Sequence, residues 1–447
     1  MGDQAGGWGI GIVDLPKLDG FMNGLQTAHA PSPAVVVPHF VAGGIAFFAA
    51  VLLMVFSAPS FLESYHHDHV LAIVHILLLG WGSMMIFGAL YQLIPVVYET
   101  SLYSEPLAVV TFWMFAVSVP FLSYSFWTGS YAGMLFYSSI LMFLSLLLFV
   151  VNLLMTYRNS RKRNIQSRFI TTAVFWLAMT ELLGLLIALN FRYGFLSQVH
   201  LHYLKIHAHL GLVGWFLLLI MGAASILIPM FMVSHSKDES KLHYAYFAVN
   251  GGLLVISSDW LWFHSRYGMW LGIAGILSGI VLFWLQMYQA YKHRLRKELD
   301  KGLQYTRNSM VALLLGSLLS VRVAVWSGQG DISKWVVVYG FVTLFGFISM
   351  LILGQTYKTL PFIIWLERYK KYVGKYKTPM PRELYHEGVV RFQYVVFLSG
   401  LLVFPAGVLT GNRFLMVVGA VLLVLTSVLH LYNIVVMIRH KVKLKEL

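Results

Sequence analysis

The sequence predicts an all-α polytopic membrane protein: twelve transmembrane helices in three pseudo-symmetric four-helix repeats, both termini cytoplasmic. Three observations predict it. The 447 residues are 58% hydrophobic and only 11% charged, and the apolar runs reach the roughly 18–20 residues that cross a bilayer. A motif recurs at a fixed offset, and internal repetition fixes architecture before any local reading does. His75, Gly80 and Trp81, then Gly88 and Ala89, then Leu93, Ile94 and Pro95 return 134 residues later as His209, Gly214, Trp215, Gly222, Ala223, Leu227, Ile228 and Pro229. A third copy lies 266 residues after the first, with Gly346, Gly354, Tyr357 and Pro361 in place of Gly80, Gly88, Tyr91 and Pro95, and Phe341 in place of the histidine. Third, Lys and Arg crowd the connections on one side of the hydropathy pattern.

The predicted spans are 35–58, 70–97, 106–127, 131–156, 169–191, 204–232, 243–265, 268–291, 308–326, 334–364, 391–411 and 414–438. They are helical because a segment in hydrocarbon must satisfy its own backbone, and these runs are too long and evenly apolar for barrel strands. The motif falls on spans 2, 6 and 10. This divides the chain into an N-terminal cytoplasmic or interfacial segment (1–34) and repeats at 35–157, 158–307 and 308–447. Residues 8–26 mix Gly, Ile, Leu and Phe with a few acids, as an interfacial segment does.

About 25 of the 32 Lys and Arg fall on the side of the termini, chiefly in 158–168, 292–307, 368–391 and 439–445. The positive-inside rule makes that side cytoplasmic, in a multi-pass inner-membrane protein. The net charge of +14 is thus a topology and headgroup signal, and no nucleic-acid partner is read from it. The absence of cysteine excludes disulfides, thiolate metal sites, iron–sulfur clusters and covalent haem attachment.

An imidazole inside an apolar span marks a functional site. His75 lies roughly 8 Å below the outer start of span 2, and the repeat puts His209 at the same depth in span 6. Neutral imidazole ligates iron, copper and zinc, so the pair could supply both axial positions of a haem or share a metal. His207 and His209, two residues apart, point about 200° apart on a regular helix and serve two cofactors, or a cofactor and a helix contact. His66, His67 and His69 precede span 2, and His200 and His202 precede span 6; these are either a bridged metal site or solvated loop residues. Arg192 and Lys205 lie at the same outer level, where they pair with carboxylates such as haem propionates or act as interfacial anchors. His39 and His430 fall in the cytoplasmic half and form a second site only if spans 1 and 12 are neighbours. Glu181, midway along span 5, and Asp259, in the outer third of span 7, are candidate proton carriers, and His264 is a further candidate metal ligand.

The run from His207 through Gly222 to Pro229, together with His75, resembles the catalytic subunit of the haem–copper oxidase superfamily, which includes the nitric oxide reductases. The resemblance covers the whole chain as architecture and spans 2 and 6 as sequence. It implies haem b, one or two copies, copper or non-haem iron as a second metal, a quinol or cytochrome donor and additional membrane subunits. The family carries its His-x-His on helix 10; here it lies on span 6. In direct helix order His75 and His209 are the axial ligands of one haem and His207 is free for a second group. With the pseudo-threefold rotated, span 6 takes the role of helix 10 and His75 becomes a metal ligand. A second resemblance is to the NnrS family, twelve-helix membrane proteins tied to haem, copper and nitric oxide stress. The expected function is an oxidoreductase passing electrons through haem to oxygen, nitric oxide or a related ligand. Its alternatives are a non-catalytic haem protein, for electron transfer or nitric oxide binding, and a transporter whose path the histidines line.

Overall fold

The computed structural model describes residues 30–234, 238–326 and 332–442; the segment 8–26 lies outside them. The described residues are all-α. Twelve long helices follow one another: α1 Pro33–Phe56, α2 Asp68–Tyr98, α3 Glu105–Trp127, α4 Met134–Arg158, α5 Ile165–Tyr193, α6 His200–Met232, α7 Ser240–Ser258, α8 Arg266–Lys292, α9 Lys301–Trp326, α10 Ser333–Tyr372, α11 Glu387–Thr410 and α12 Arg413–Ile438. Eleven are long and apolar enough to cross a membrane, which makes this a multi-pass membrane protein.

The helix outside that set is α7, for which the sequence predicts a span over 243–265. Its α-helical part has 19 residues and carries Lys241, His243 and Asn250. It runs into a single wide turn, Asp259–Phe263, and stops at His264, whose φ is 50°. That turn is π-helical and continuous with α7, so the helix ends at Phe263, two residues short of the predicted range. What holds α7 is glycine packing. A Cβ on Gly252 would lie 2.7 Å from the Gly272 carbonyl oxygen and from the Ile276 nitrogen, and one on Gly279 would lie 2.4 Å from Val249. Small residues let α7 and α8 touch backbone to backbone, which is how helices associate in lipid.

α2, α6 and α10 form the centre. Of their most apolar windows 72, 67 and 78% is buried, against 28–44% for the other eight spans. Outer helices present apolar side chains outward, Trp113, Leu402 and Phe414 among them, as lipid requires. We call the end at which α2, α6 and α10 begin the entry end, and the opposite end the exit end.

The motif positions carry like local structure. Each central helix widens into an eight-residue π-helical segment, Ile76–Ser83, Leu210–Leu217 and Val342–Ser349, separated by the offsets of the motif. π-Helical turns are rare and concentrate at functional sites. The three segments interlock. The Trp215 indole donates to Ser83 Oγ at 3.1 Å and the Trp81 indole to Ser349 Oγ at 3.0 Å. Phe347 and Leu217 hold the positions of the third link, so donor and acceptor are both apolar there and no buried polar group is stranded. Below this ring, His39, Phe169 and Tyr305 set their Cβ atoms over Gly88, Gly222 and Gly354, where a glycine Cβ would lie 2.7, 2.8 and 2.7 Å away. The side chains of Asn152, Gln286 and Asn433, one each on α4, α8 and α12, hydrogen-bond the backbone of Ser104, Asp238 and His386.

Candidate functional site

His75 and His207 come together in the entry half, between α2 and α6. Their ring centroids are 6.5 Å apart and the ring planes differ by 21°. Each ring is fixed by its Nδ1, which donates to the Leu71 carbonyl at 2.7 Å for His75 and to the Thr180 carbonyl of α5 at 3.0 Å for His207. That bond sets the tautomer and leaves each Nε2 as an unprotonated lone pair, the arrangement metal-ligating histidines adopt. Both residues are half-buried, and neither Nε2 has a hydrogen bond among the described residues. Gly184 makes room for His207: a Cβ there would lie 2.8 Å from the imidazole Cε1. Phe126 of α3 stacks on His75, with centroids 4.6 Å apart at 24°.

His209 has the same internal preparation, its Nδ1 donating to the Lys205 carbonyl at 2.7 Å, but it lies on the other side of α6. Its ring packs edge-on against Trp260 at 5.0 Å. The pair His209 and Trp260 repeats the pair His75 and Phe126 at the motif offset. His207 is the residue without a histidine counterpart, since Ile73 holds its place in α2. The repeat thus pairs His75 with His209 by equivalence, while the fold pairs His75 with His207 by contact.

The remaining candidates are dispersed. Lys205 lies over the Trp260 ring at 5.1 Å and Arg192 over the Phe136 ring at 4.7 Å. Asp259 is buried and closes the turn from α7 to α8: its Oδ1 accepts from the Ser265 amide at 2.9 Å, and its carbonyl accepts from the His264 amide at 2.7 Å. His264 meets His202 at 5.4 Å, away from His75 and His207. Glu181 stands on α5 between Thr180 and Gly184 and makes no hydrogen bond or ion pair among the described residues. The entry-end histidines have separate partners: His66 Nδ1 bonds Ser64 Oγ at 2.6 Å, His67 pairs with Glu63 at 3.3 Å, His69 stacks on Trp127 and His200 on Phe191. Among the described residues no three His, Cys, Asp or Glu side chains gather as metal ligands.

α1 and α12 are neighbours, with Gly44 against Leu431, yet His39 and His430 face different groups. His39 packs on Tyr91 and Phe112; His430 packs on Trp81 and Tyr357, with Nδ1 3.3 Å from the Tyr357 hydroxyl. His430 is fully buried and its Nε2 has no partner. A stranded buried polar atom costs about 1–3 kcal/mol. Phe149 meets Tyr91 in the first repeat as His430 meets Tyr357 in the third, so His430→Phe should fit. We expect it to raise stability by about 1 kcal/mol, read as a higher unfolding temperature in detergent.

Sequence reasoning missed Gly184, Thr180 and Phe126. Phe126 was accessible, because Trp260 lies 134 residues beyond it; Gly184 and Thr180 carry no periodic signal. No protein-family model matches this chain, and no curated protein matches it.

Proposed function

We propose that this protein is a membrane electron-transfer haem protein, with a haem b iron held between His75 and His207. The observation that carries the reading is the relation of those two rings. The rings stand 6.5 Å apart, centroid to centroid, with planes 21° apart, and two neutral imidazoles at that separation could both hold one iron between them. The two free Nε2 atoms, the glycine beside His207 and the lack of further ligands nearby fit a haem better than a metal ion held by protein alone. When bound, the haem supplies one-electron transfer. The chain's own groups hold and tune it: the Leu71 and Thr180 carbonyls orient the imidazoles and raise their basicity, and Phe126 packs the His75 ring. Glu181 carries, at its carboxyl, a proton that balances charge added on reduction.

In this reading the chain is a divergent relative of the haem–copper oxidases, with twelve spans in three four-helix repeats about a pseudo-threefold axis and cytoplasmic termini in an inner membrane. It takes electrons from a quinol or a cytochrome. A second reading rests on His209, whose Nδ1 is pinned like the other two: it would give a second iron one ligand and leave a position open for oxygen or nitric oxide, which makes the chain an enzyme.

Carbon monoxide separates the two readings. The dithionite-reduced protein should show b-type bands that carbon monoxide leaves unchanged, because His75 and His207 would both be holding the iron. A carbon monoxide shift lost in His209→Ala supports the second reading. A colourless protein after expression with ample haem contradicts both and favours transport.

A further inference from the structure

We infer that the polar cavity at the exit end, between the starts of α9 and α11, is a binding site for one anionic phospholipid. The lipid phosphate sits in the cavity and the acyl chains lie against α9 and α11. The inference is independent of the haem reading. The cavity, about 560 Å³, is formed by the α8–α9 connection, the first turn of α9, the α10–α11 connection and the beginning of α11. Its charges do not cancel. Arg296, Lys301, Arg382 and Arg391 line it together with Glu298, Asp300 and Glu387. Asp300 is bonded by Lys358 of α10 as well as by Arg296, the latter at 3.0 Å, and Glu387 takes Arg391 at 2.8 Å. With Lys358 that makes five cations against three carboxylates.

Lys301 and Arg382 form no ion pair among the described residues. Lys301 reaches only neutral partners: it donates to the Gln304 carboxamide oxygen at 2.8 Å and lies over the Tyr394 ring at 4.7 Å. Glu298, the remaining carboxylate, is exposed and pairs with neither. A phosphodiester supplies the missing anion, because a guanidinium and an ammonium both donate to phosphate oxygens. The same two helices then turn apolar. Gln304 shares a face of α9 with Val311 and Leu315, and Arg391 shares a face of α11 with Val395 and Leu402, all at helical spacings. These four apolar side chains are 50–73% exposed, which in a membrane means lipid. Asn308 ties the two helices together beside the cavity, its amide donating to the Tyr394 hydroxyl at 2.7 Å. Cations at headgroup level followed by apolar helix faces match an anionic head on acyl chains, and basic pockets between spanning helices hold such heads. A soluble phosphate would make no use of the apolar faces.

The test is lipid titration of the delipidated full chain in detergent, with bound lipid counted by native mass spectrometry. Three probes are used: phosphatidylglycerol, phosphatidylcholine with the same acyl chains, and glycerol 3-phosphate. We expect one phosphatidylglycerol per chain to bind about tenfold or more tighter than phosphatidylcholine, and glycerol 3-phosphate to leave it in place. Lys301→Gln combined with Arg382→Gln should lower phosphatidylglycerol binding to the phosphatidylcholine level. Arg158→Gln combined with Arg163→Gln removes as much charge from the same end, outside the cavity, and should leave binding unchanged. Arg382→Glu, at an exposed side chain, replaces the first pair if that variant elutes as aggregate, and the same loss is expected of it. Equal binding of the two lipids, a cavity variant that binds like wild type, or equal losses in the two double variants overturns the inference. Displacement of the lipid by glycerol 3-phosphate also overturns it, in favour of a site for soluble phosphate.

Discussion

Alanine at His75 or at His207 is expected to remove at least about nine-tenths of the bound haem, while His209→Ala keeps it. Each of the first two substitutions deletes one of two neighbouring imidazoles whose Nε2 atoms make no hydrogen bond among the described residues. His209 is pinned in the same way but faces Trp260. Gly184→Val is expected to act like a ligand deletion although it removes no ligand, because its Cβ would lie 2.8 Å from His207 Cε1 and push that ring off the Thr180 carbonyl. Haem-to-protein ratio by pyridine haemochrome checks all four variants. Retention of haem in His207→Ala with loss in His209→Ala would restore the pairing that the repeat alone suggests.

The largest stability effect is expected at Gly252. A leucine there drives carbon into the Gly272 carbonyl and the Ile276 nitrogen of α8, both 2.7 Å from the Cβ position. Backbone cannot step aside as a side-chain tip can, so the two helices must separate. Overpacking costs typically about 1–3 kcal/mol, and loss of a backbone-to-backbone interface puts this case at or above the upper end. Gly251→Leu is the control: nothing lies within 4 Å of its Cβ position, and it should be close to neutral. Unfolding temperature and monodispersity in detergent read both. Equal effects at the two glycines would contradict the packing account of α7.

The architecture was legible in the sequence where it rests on long-range periodicity. Hydropathy placed the helices, and the offsets of His75, Gly80, Trp81, Gly88 and Pro95 singled out α2, α6 and α10, the three most buried. Those offsets also locate the π-helical segments, although nothing in Ile76–Ser83 announces that its turns are wide. The end of α7 was legible to within two residues: Trp260, Leu261, Trp262 and Phe263 are as apolar as a helix interior and continue it as one π-helical turn, and the chain leaves it at His264, where φ is positive and the Asp259 carboxylate accepts from the Ser265 amide. The site was half legible. His75, His207 and His209 stand out as imidazoles in apolar helices, but which two meet depends on an asymmetric detail, His207 where α2 has Ile73, and on Gly184 of α5 standing beside it. Equivalence by offset in the sequence does not say which side chains meet across an interface.

The most direct test of the central claim is electron paramagnetic resonance of the oxidised, purified protein. Two imidazole planes 21° apart on one iron predict a rhombic low-spin ferric signal, lost in both His75→Ala and His207→Ala and unchanged in His209→Ala. A high-spin signal alone, or a low-spin signal that survives loss of His207, would contradict a haem held between α2 and α6 by these two residues.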